Sequence, residues 1–295
     1  MQITNNYDLP HEVYEALAHS DYDSGDSDYS VTTLIKSPRI VQLEKRHWDE
    51  LSCDAMSRLW SMFGEIAHSI FERHTHEEGE SETRLYKTIL DRVIGGKFDN
   101  YRDKVISDFK VTSAWTLVYG SRVKEWEEQL NMYAYLLREN GYPVEQIRIN
   151  CVLRDWDKNK ALQNQDYPQT PIKIIPITLW THDEQEQFIE SCVMRQSSAE
   201  YDEDEFLPRC TSEEMWERPS TFAVMKEGAK RATKVLDSYE EAVSYIKETG
   251  LCSKIEDTPD KFIVTRLGKR TRCEEYCNVS SFCNIHQDYL KAKDE

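Results

Sequence analysis

The chain has 295 residues, 39% hydrophobic and 11% aromatic, enough to fill one large core or a core with an appended subdomain; disorder of the whole chain is excluded. A formal charge of -17 and an isoelectric point near 5.0 exclude a broad basic surface of the kind that holds nucleic acid non-specifically. Acidity is concentrated in stretches such as 21–28 and 200–205, so charge has to be judged locally, and an acidic protein that merely binds other proteins stays open.

Residues 1–30 are polar and rich in Asp and Ser, which predicts an acidic flexible arm or docking segment. Their start has neither a basic cluster nor an apolar run, and nothing in the chain reaches the apolar length of a membrane helix. A cytoplasmic protein is expected, whose eight cysteines are thiols or metal ligands and not disulfides. Over about 54–75, Leu59, Phe63, Ile66 and Ile70 recur at helical spacing and predict a helix with one packed face. The block 92–112 reads as two antiparallel strands around a polar turn at 100–104.

A helix follows over 123–140, ended by Gly141 with Pro143 beyond it. Strands are expected over 147–155 and 172–179, separated by a polar loop, and a further helix over 183–196. The order predicts an α/β fold, a mixed sheet flanked by helices. After Ser197 comes an acidic linker at 202–205 and then a cysteine-rich end, which divides the chain into an arm (1–30), a core (31–197) and a carboxyl-terminal subdomain (198–295). No Gly-x-x-x-x-Gly-Lys-Ser/Thr phosphate loop is present, so an ATP-driven motor is not supported.

Asp99, Asp108 and Lys110 carry the chemistry. With a two-residue turn at Asp103-Lys104, Asp99 falls opposite Asp108, and Lys110 projects from the face that Asp108 occupies. Facing carboxylates repel, which invites a cation. Oxygen donors favour Mg²⁺ or Mn²⁺, and an imidazole such as His68 shifts the balance toward Mn²⁺. Lys110 would orient a nucleophile or stabilise developing negative charge. Gln129 and Tyr133 share a helical face and are expected to hold a phosphate or the Lys110 side chain.

Cys273, Cys277 and Cys283 form a C-x3-C-x5-C group that needs a fourth thiol to close a site. Cys210 is chosen because it opens the same region, with Cys53 and Cys252 as rivals; Cys151 and Cys192 read as buried small hydrophobes. Basic residues flank the group at Arg266, Lys269, Arg270 and Arg272, with Lys226, Lys230 and Lys234 upstream, and Trp216 and Phe222 near them can stack bases or pack.

The set Gly64-x-x-x-His68, Gly96-x-x-Asp99, Asp108-x-Lys110 and Gln129-x-x-x-Tyr133 resembles the four motifs of the RecB-like branch of the PD-(D/E)XK nuclease superfamily. The resemblance implies a restriction-endonuclease-like core, with His68, Asp99, Asp108 and the Phe109 carbonyl as metal ligands, Lys110 catalytic, and Gln129 and Tyr133 in support. It implies a deoxyribonuclease of phage or bacterial type, most simply an exonuclease on single-stranded DNA or DNA ends, working in recombination or DNA processing with room for a helicase or recombination partner. Several relatives in that branch carry one distant and three late cysteines around an iron-sulfur cluster, which favours [4Fe-4S] over structural Zn²⁺ here. Three departures stand out: Val111-Thr112 follows Lys110 without a glycine, the late cysteines begin C-x3-C where the family has C-x2-C, and the family's distant cysteine precedes the Gly-x-x-x-His helix, as here only Cys53 does. A catalytically inactive, cluster-stabilised DNA-binding or scaffold protein is the competing reading.

Overall fold

The computed structural model of this chain describes residues 1–19, 25–74, 80–81, 83–226, 228–251 and 258–294, and it divides into two units, Met1–Leu207 and Pro208–Glu295. In the first unit the order is β1 (Gln2–Thr4), α1 (His11–Ala18), β2 (Tyr29–Ser30), α2 (Val31–Leu34), α3 (Pro38–Arg46), β3 (Ser52–Asp54), α4 (Leu59–Glu72), β4 (Glu80–Ser81), β5 (Arg84–Ile89) and β6 (Arg92–Lys97). It continues with β7 (Asn100–Arg102), β8 (Val105–Thr112), α5 (Ala114–Tyr119), α6 (Val123–Glu139), β9 (Gln146–Leu153), α7 (Lys158–Gln163), β10 (Ile172–Ile177) and α8 (His182–Ala199). This is a mixed α/β fold. One sheet has the order β10-β9-β8-β7-β4, with β8 and β9 parallel and their outer neighbours antiparallel, and a second has the order β2-β6-β5.

The core forms where apolar periodicity meets long-range contact. On β9, Ile147, Ile149, Cys151 and Leu153 alternate inward and are buried, as a strand with one covered face requires. α6 is buried on every side from Gln129 to Leu137, the mark of a helix enclosed by other elements. Its close seat against β6 depends on Gly96: a Cβ there would stand 2.6 Å from Leu136 Cδ1, 3.0 Å from Val31 Cγ2 and 3.1 Å from Tyr133 Cδ1.

Several expectations are corrected. The predicted arm carries β1, which pairs in parallel with β3, and α1; its most acidic stretch, 21–24, lies outside the described residues. The block 92–112 is not one hairpin, because the chain changes sheets between Lys97 and Asn100. The helix expected over 54–75 begins at Leu59 after a 3-10 turn, and its end at 75 lies outside the described residues. Its apolar stripe does not pack: Phe63, Ile66 and Ile70 are all more than two-fifths exposed. The polar loop before β10 contains α7.

The acidic stretch after Ser197 is not a free linker. Asp204 accepts from Arg46 Nη1 at 2.8 Å and stands 2.7 Å from His47 Nε2, while the buried Arg39 guanidinium donates to the Asp204 and Leu207 carbonyls. Three basic side chains from α3 and its end thus hold 204–207 in the first unit, and the division between units falls after Leu207.

The second unit contains β11 (Glu217–Arg218), β12 (Thr221–Val224), β13 (Lys234–Leu236), α9 (Tyr239–Thr249), β14 (Ile263–Arg266), β15 (Lys269–Arg270), α10 (Thr271–Glu275) and α11 (Asn284–Asp294). α9 covers the sheet β13-β12-β14 through a small core of Val224, Ala242, Ile246 and Phe262, and Phe222 packs against it, so that ring serves packing. Lys226 and Lys230 lie between β12 and β13, and Lys234 opens β13; their spacing is not helical.

Two measurements follow. Gly96→Ala, by forcing α6 off β6, is expected to lower unfolding free energy by about 1–3 kcal/mol in chemical denaturation. The His47 pKa is raised above 6.5, chiefly by its hydrogen bonds to Asp204 and Glu50. A raised folded-state pKa means that this stabilisation is present in full below the ordinary value and is lost as pH rises through the folded one. The stability gap between wild type and His47→Gln should therefore be widest in mildly acid solution and shrink toward alkaline pH, and a gap that widens instead would refute the clamp.

Candidate active site

The turn Asp103-Lys104 joins β7 to β8 with both residues at positive φ, 51° and 64°, the type I′ geometry of two-residue hairpins. It sets the register Arg102↔Val105, Tyr101↔Ile106 and Asn100↔Ser107. One further step along that register sets Asp99 opposite Asp108. β7 has already ended there, so no β7 residue accepts the Phe109 N–H, and the Asp99 carboxylate does: its Oδ2 accepts it at 2.8 Å. Because a strand residue's N–H and C=O point to the same edge, the Phe109 carbonyl faces that side also.

His68 stands with Nδ1 3.4 Å from the same Oδ2. α4 is seated on β8 by Phe71, whose ring stacks on Phe109 at 4.4 Å, and the His68 ring meets Phe109 edge-on at 6.5 Å. Side chains alternate along a strand, so α4 covers the Phe109 face, whereas Asp108 and Lys110 project from the other. The imidazole and the buried Asp108 thus approach Asp99 from opposite faces of β8. Among the described residues, no group of three or more His, Cys, Asp or Glu side chains is drawn together as an ion would hold them.

On the inner face Asp108 is 2% exposed and Lys110 Nζ lies 2.7 Å from its Oδ2. The pair is a close, buried ion pair, and the Lys110 ammonium is the cation that the enclosed Asp108 carboxylate meets. Burial pulls the Lys110 ammonium down, but Asp108 and Asp99 outweigh it and its pKa is raised. Lys110 is accordingly a cation at neutral pH. Beneath it, across from β8, burial and the Asp108 charge push the Cys151 thiol up to about 12, which makes Cys151 an inert floor.

Gln129 and Tyr133 are buried on α6, where Gln129 Nε2 donates to Tyr133 Oη at 3.2 Å. Arg122, just before α6, adds positive charge near Lys110. It was not among the expected site residues, since nothing in its local pattern separates it from a solvated helix start.

The donor chemistry suits a hard divalent cation. The two carboxylates and the Phe109 carbonyl are the groups such an ion satisfies.

In the second unit, burial pushes the Cys273 thiol up to about 11, with Cys277, Cys210 and Cys283 adding to the rise. Cys277, Cys210 and Cys283 thus lie within electrostatic reach of Cys273, though among the described residues no three cysteines are drawn together as an ion would hold them. Cys53 sits on β3 of the first unit, and Cys252 lies outside the described residues. His286, three residues past Cys283 on α11, is buried, and its Nδ1 has no hydrogen-bond partner.

No protein-family model and no curated protein matches the chain. Among solved structures it is similar to the protein SSO0001 at 20% identity over 63% of this chain and 83% of that one, with a TM-score of 0.38. It is also similar to the alkaline exonuclease LHK-Exo from Laribacter hongkongensis, 11% identical over 64% of this chain and 93% of that one, TM-score 0.37. A phage-related exonuclease from Haemophilus somnus 129PT is 13% identical over 64% and 82%, TM-score 0.29.

Lys110→Met would leave the Asp108 carboxylate buried without its neighbouring charge, and is expected to cost about 2–4 kcal/mol of stability. Adding Asp108→Asn to that variant should restore part of the loss in a double-mutant cycle by denaturation. Strictly additive losses would show that the two groups do not interact.

Proposed function

We propose that the chain is a divalent-metal-dependent nuclease that hydrolyses phosphodiester bonds of DNA, acting on single strands or free ends. The observation that carries this reading is the facing of Asp99 and Asp108 across one hairpin, with Lys110 beside them and His68 against Asp99. Mg²⁺ or Mn²⁺ would be held by His68, Asp99, Asp108 and the Phe109 carbonyl. Bound there, the ion would supply Lewis-acid activation of the phosphodiester and lower the pKa of water.

The rest falls to the protein. Asp99 is held in place by the Phe109 N–H, which fixes its carboxylate against β8. Lys110, kept charged by the carboxylates, places an ammonium where negative charge develops on the phosphoryl oxygens. Lys110 Nζ, 2.7 Å from Asp108 Oδ2, would be the group that meets a phosphoryl oxygen. Gln129 and Tyr133 act from below as a buried hydrogen-bonded pair that fixes the helix flanking Lys110.

In the second unit Cys210, Cys273, Cys277 and Cys283 are proposed to hold a [4Fe-4S] cluster, with structural Zn²⁺ as the alternative filling. Its role would be to tie Cys210 to α10 and the segment before α11, since these short elements enclose little apolar core of their own.

Labelled single- and double-stranded DNA incubated with Mn²⁺ tests the first proposal. Wild type should cleave, and Lys110→Ala and Asp108→Asn should each be slower by at least about 100-fold. Equal inertness of wild type and Lys110→Ala, with DNA binding retained, would establish the binding or scaffold reading instead. For the second, protein prepared without oxygen should be brown and contain iron and sulfide, and Cys210→Ser should lose both; colourless, zinc-bearing protein would replace the cluster by zinc.

A further inference from the structure

The rim formed where β8 and β9 end carries exposed rings with cations laid on them. Trp60 is 53% exposed, and the Arg154 guanidinium sits 4.1 Å from its ring centroid; Phe63 lies beside it, ring centroids 5.8 Å apart. α5 starts directly after β8 and presents Trp115 and Tyr119, stacked at 5.8 Å with planes 22° apart, and Tyr119 is 75% exposed. The Lys160 ammonium stands 5.3 Å from the Trp115 ring centroid.

The two aromatic pairs belong to one edge. Arg154 donates its backbone N–H to the Thr112 carbonyl at 3.0 Å, and the next residue, Asp155, accepts from Ser113 Oγ at 2.6 Å and from the Ala114 N–H at 2.7 Å. The residue that carries the cation over Trp60 is therefore followed by the one that caps the helix bearing Trp115 and Tyr119. Lys110 lies on the same strand, two residues before its end.

Trp115 is 38% exposed and meets the buried Tyr167 edge-on at 5.7 Å, while Trp60, Phe63 and Tyr119 turn more of their rings to solvent, and a guanidinium and an ammonium lie against these rings. A chain of flat apolar rings joined by anionic links matches both features. In a duplex the base faces are already stacked on one another and cannot reach such a platform, so the chemistry selects an unpaired strand.

We propose that unpaired nucleotides stack on the Trp115–Tyr119 and Trp60–Phe63 pairs, with Arg154 and Lys160 beside the adjoining phosphates, and that this platform leads a single strand or frayed end toward Lys110. The stacking stands by itself; its link to Lys110 rests on the nuclease reading. Against a chain charge of -17, these cations supply a local attraction confined to one edge.

The test is binding of a fluorescent oligothymidylate and of a duplex of equal length to the full chain in EDTA, where no hydrolysis occurs. Wild type should prefer the single strand, which should quench tryptophan fluorescence. Trp115→Ala and Trp60→Ala should each weaken single-strand binding by about tenfold, Trp115→Phe should keep most of it, and Arg154→Gln with Lys160→Gln should flatten its salt dependence. Melting curves monitored by circular dichroism check that each variant is folded.

Equal affinity for duplex and single strand, or aromatic variants that bind like wild type, would overturn the proposal, as would a concentration-dependent dimer that the same variants abolish. Hydrolysis by wild type in Mn²⁺ is scored separately: a protein that binds single strands through these rings but cleaves nothing would end the nuclease reading and leave the platform standing.

Discussion

β7 stops at Asn100, and from there the Asp99 carboxylate takes the place of a strand partner, accepting the Phe109 N–H at 2.8 Å. That single contact sets the geometry of the site. It fixes Asp99 beside the last register pair of β7 and β8, Asn100↔Ser107, with the same Oδ2 3.4 Å from His68 Nδ1. A hairpin one residue longer would have occupied this edge of β8 with backbone, and a register slip of one residue would have sent Asp108 and Lys110 to the opposite face.

The buried side of β8 works on charge balance. A carboxylate as enclosed as Asp108 is costly unless paired, and Lys110 supplies the pairing at the cost of partial burial of its own. Asp99 adds to the attraction, and together the two carboxylates keep the Lys110 ammonium charged despite its burial. α6 then encloses the site from behind, and its approach to β6 is permitted by the missing Cβ at Gly96. Rigid backbone and buried charge are thus divided between different elements.

The same economy applies to the acidic surface. Asp204 is drawn onto α3 by Arg46 and His47, which turns part of an acidic run into structure, while Arg154 and Lys160 are set over rings at the end of the sheet. Net charge therefore says little about which ligand a given edge attracts.

What the sequence by itself determined is whatever depends on a short period. The two-residue turn at Asp103-Lys104, the opposition of Asp99 and Asp108, the common face of Asp108 and Lys110, and the span of α6 up to Gly141 all follow from local geometry, and the structure has them. The hairpin turn at Leu90-Asp91 has the same positive φ values, 49° and 63°, but Leu-Asp carries no turn signature, so β5 and β6 could not be separated in advance. Only tertiary structure decided that α4 would cover the Phe109 face and leave Phe63, Ile66 and Ile70 outward, and that His68 would meet Asp99 from the side opposite Asp108. The reason is that periodicity states which residues share a face, whereas the element that covers that face is chosen by contacts between residues far apart in the chain.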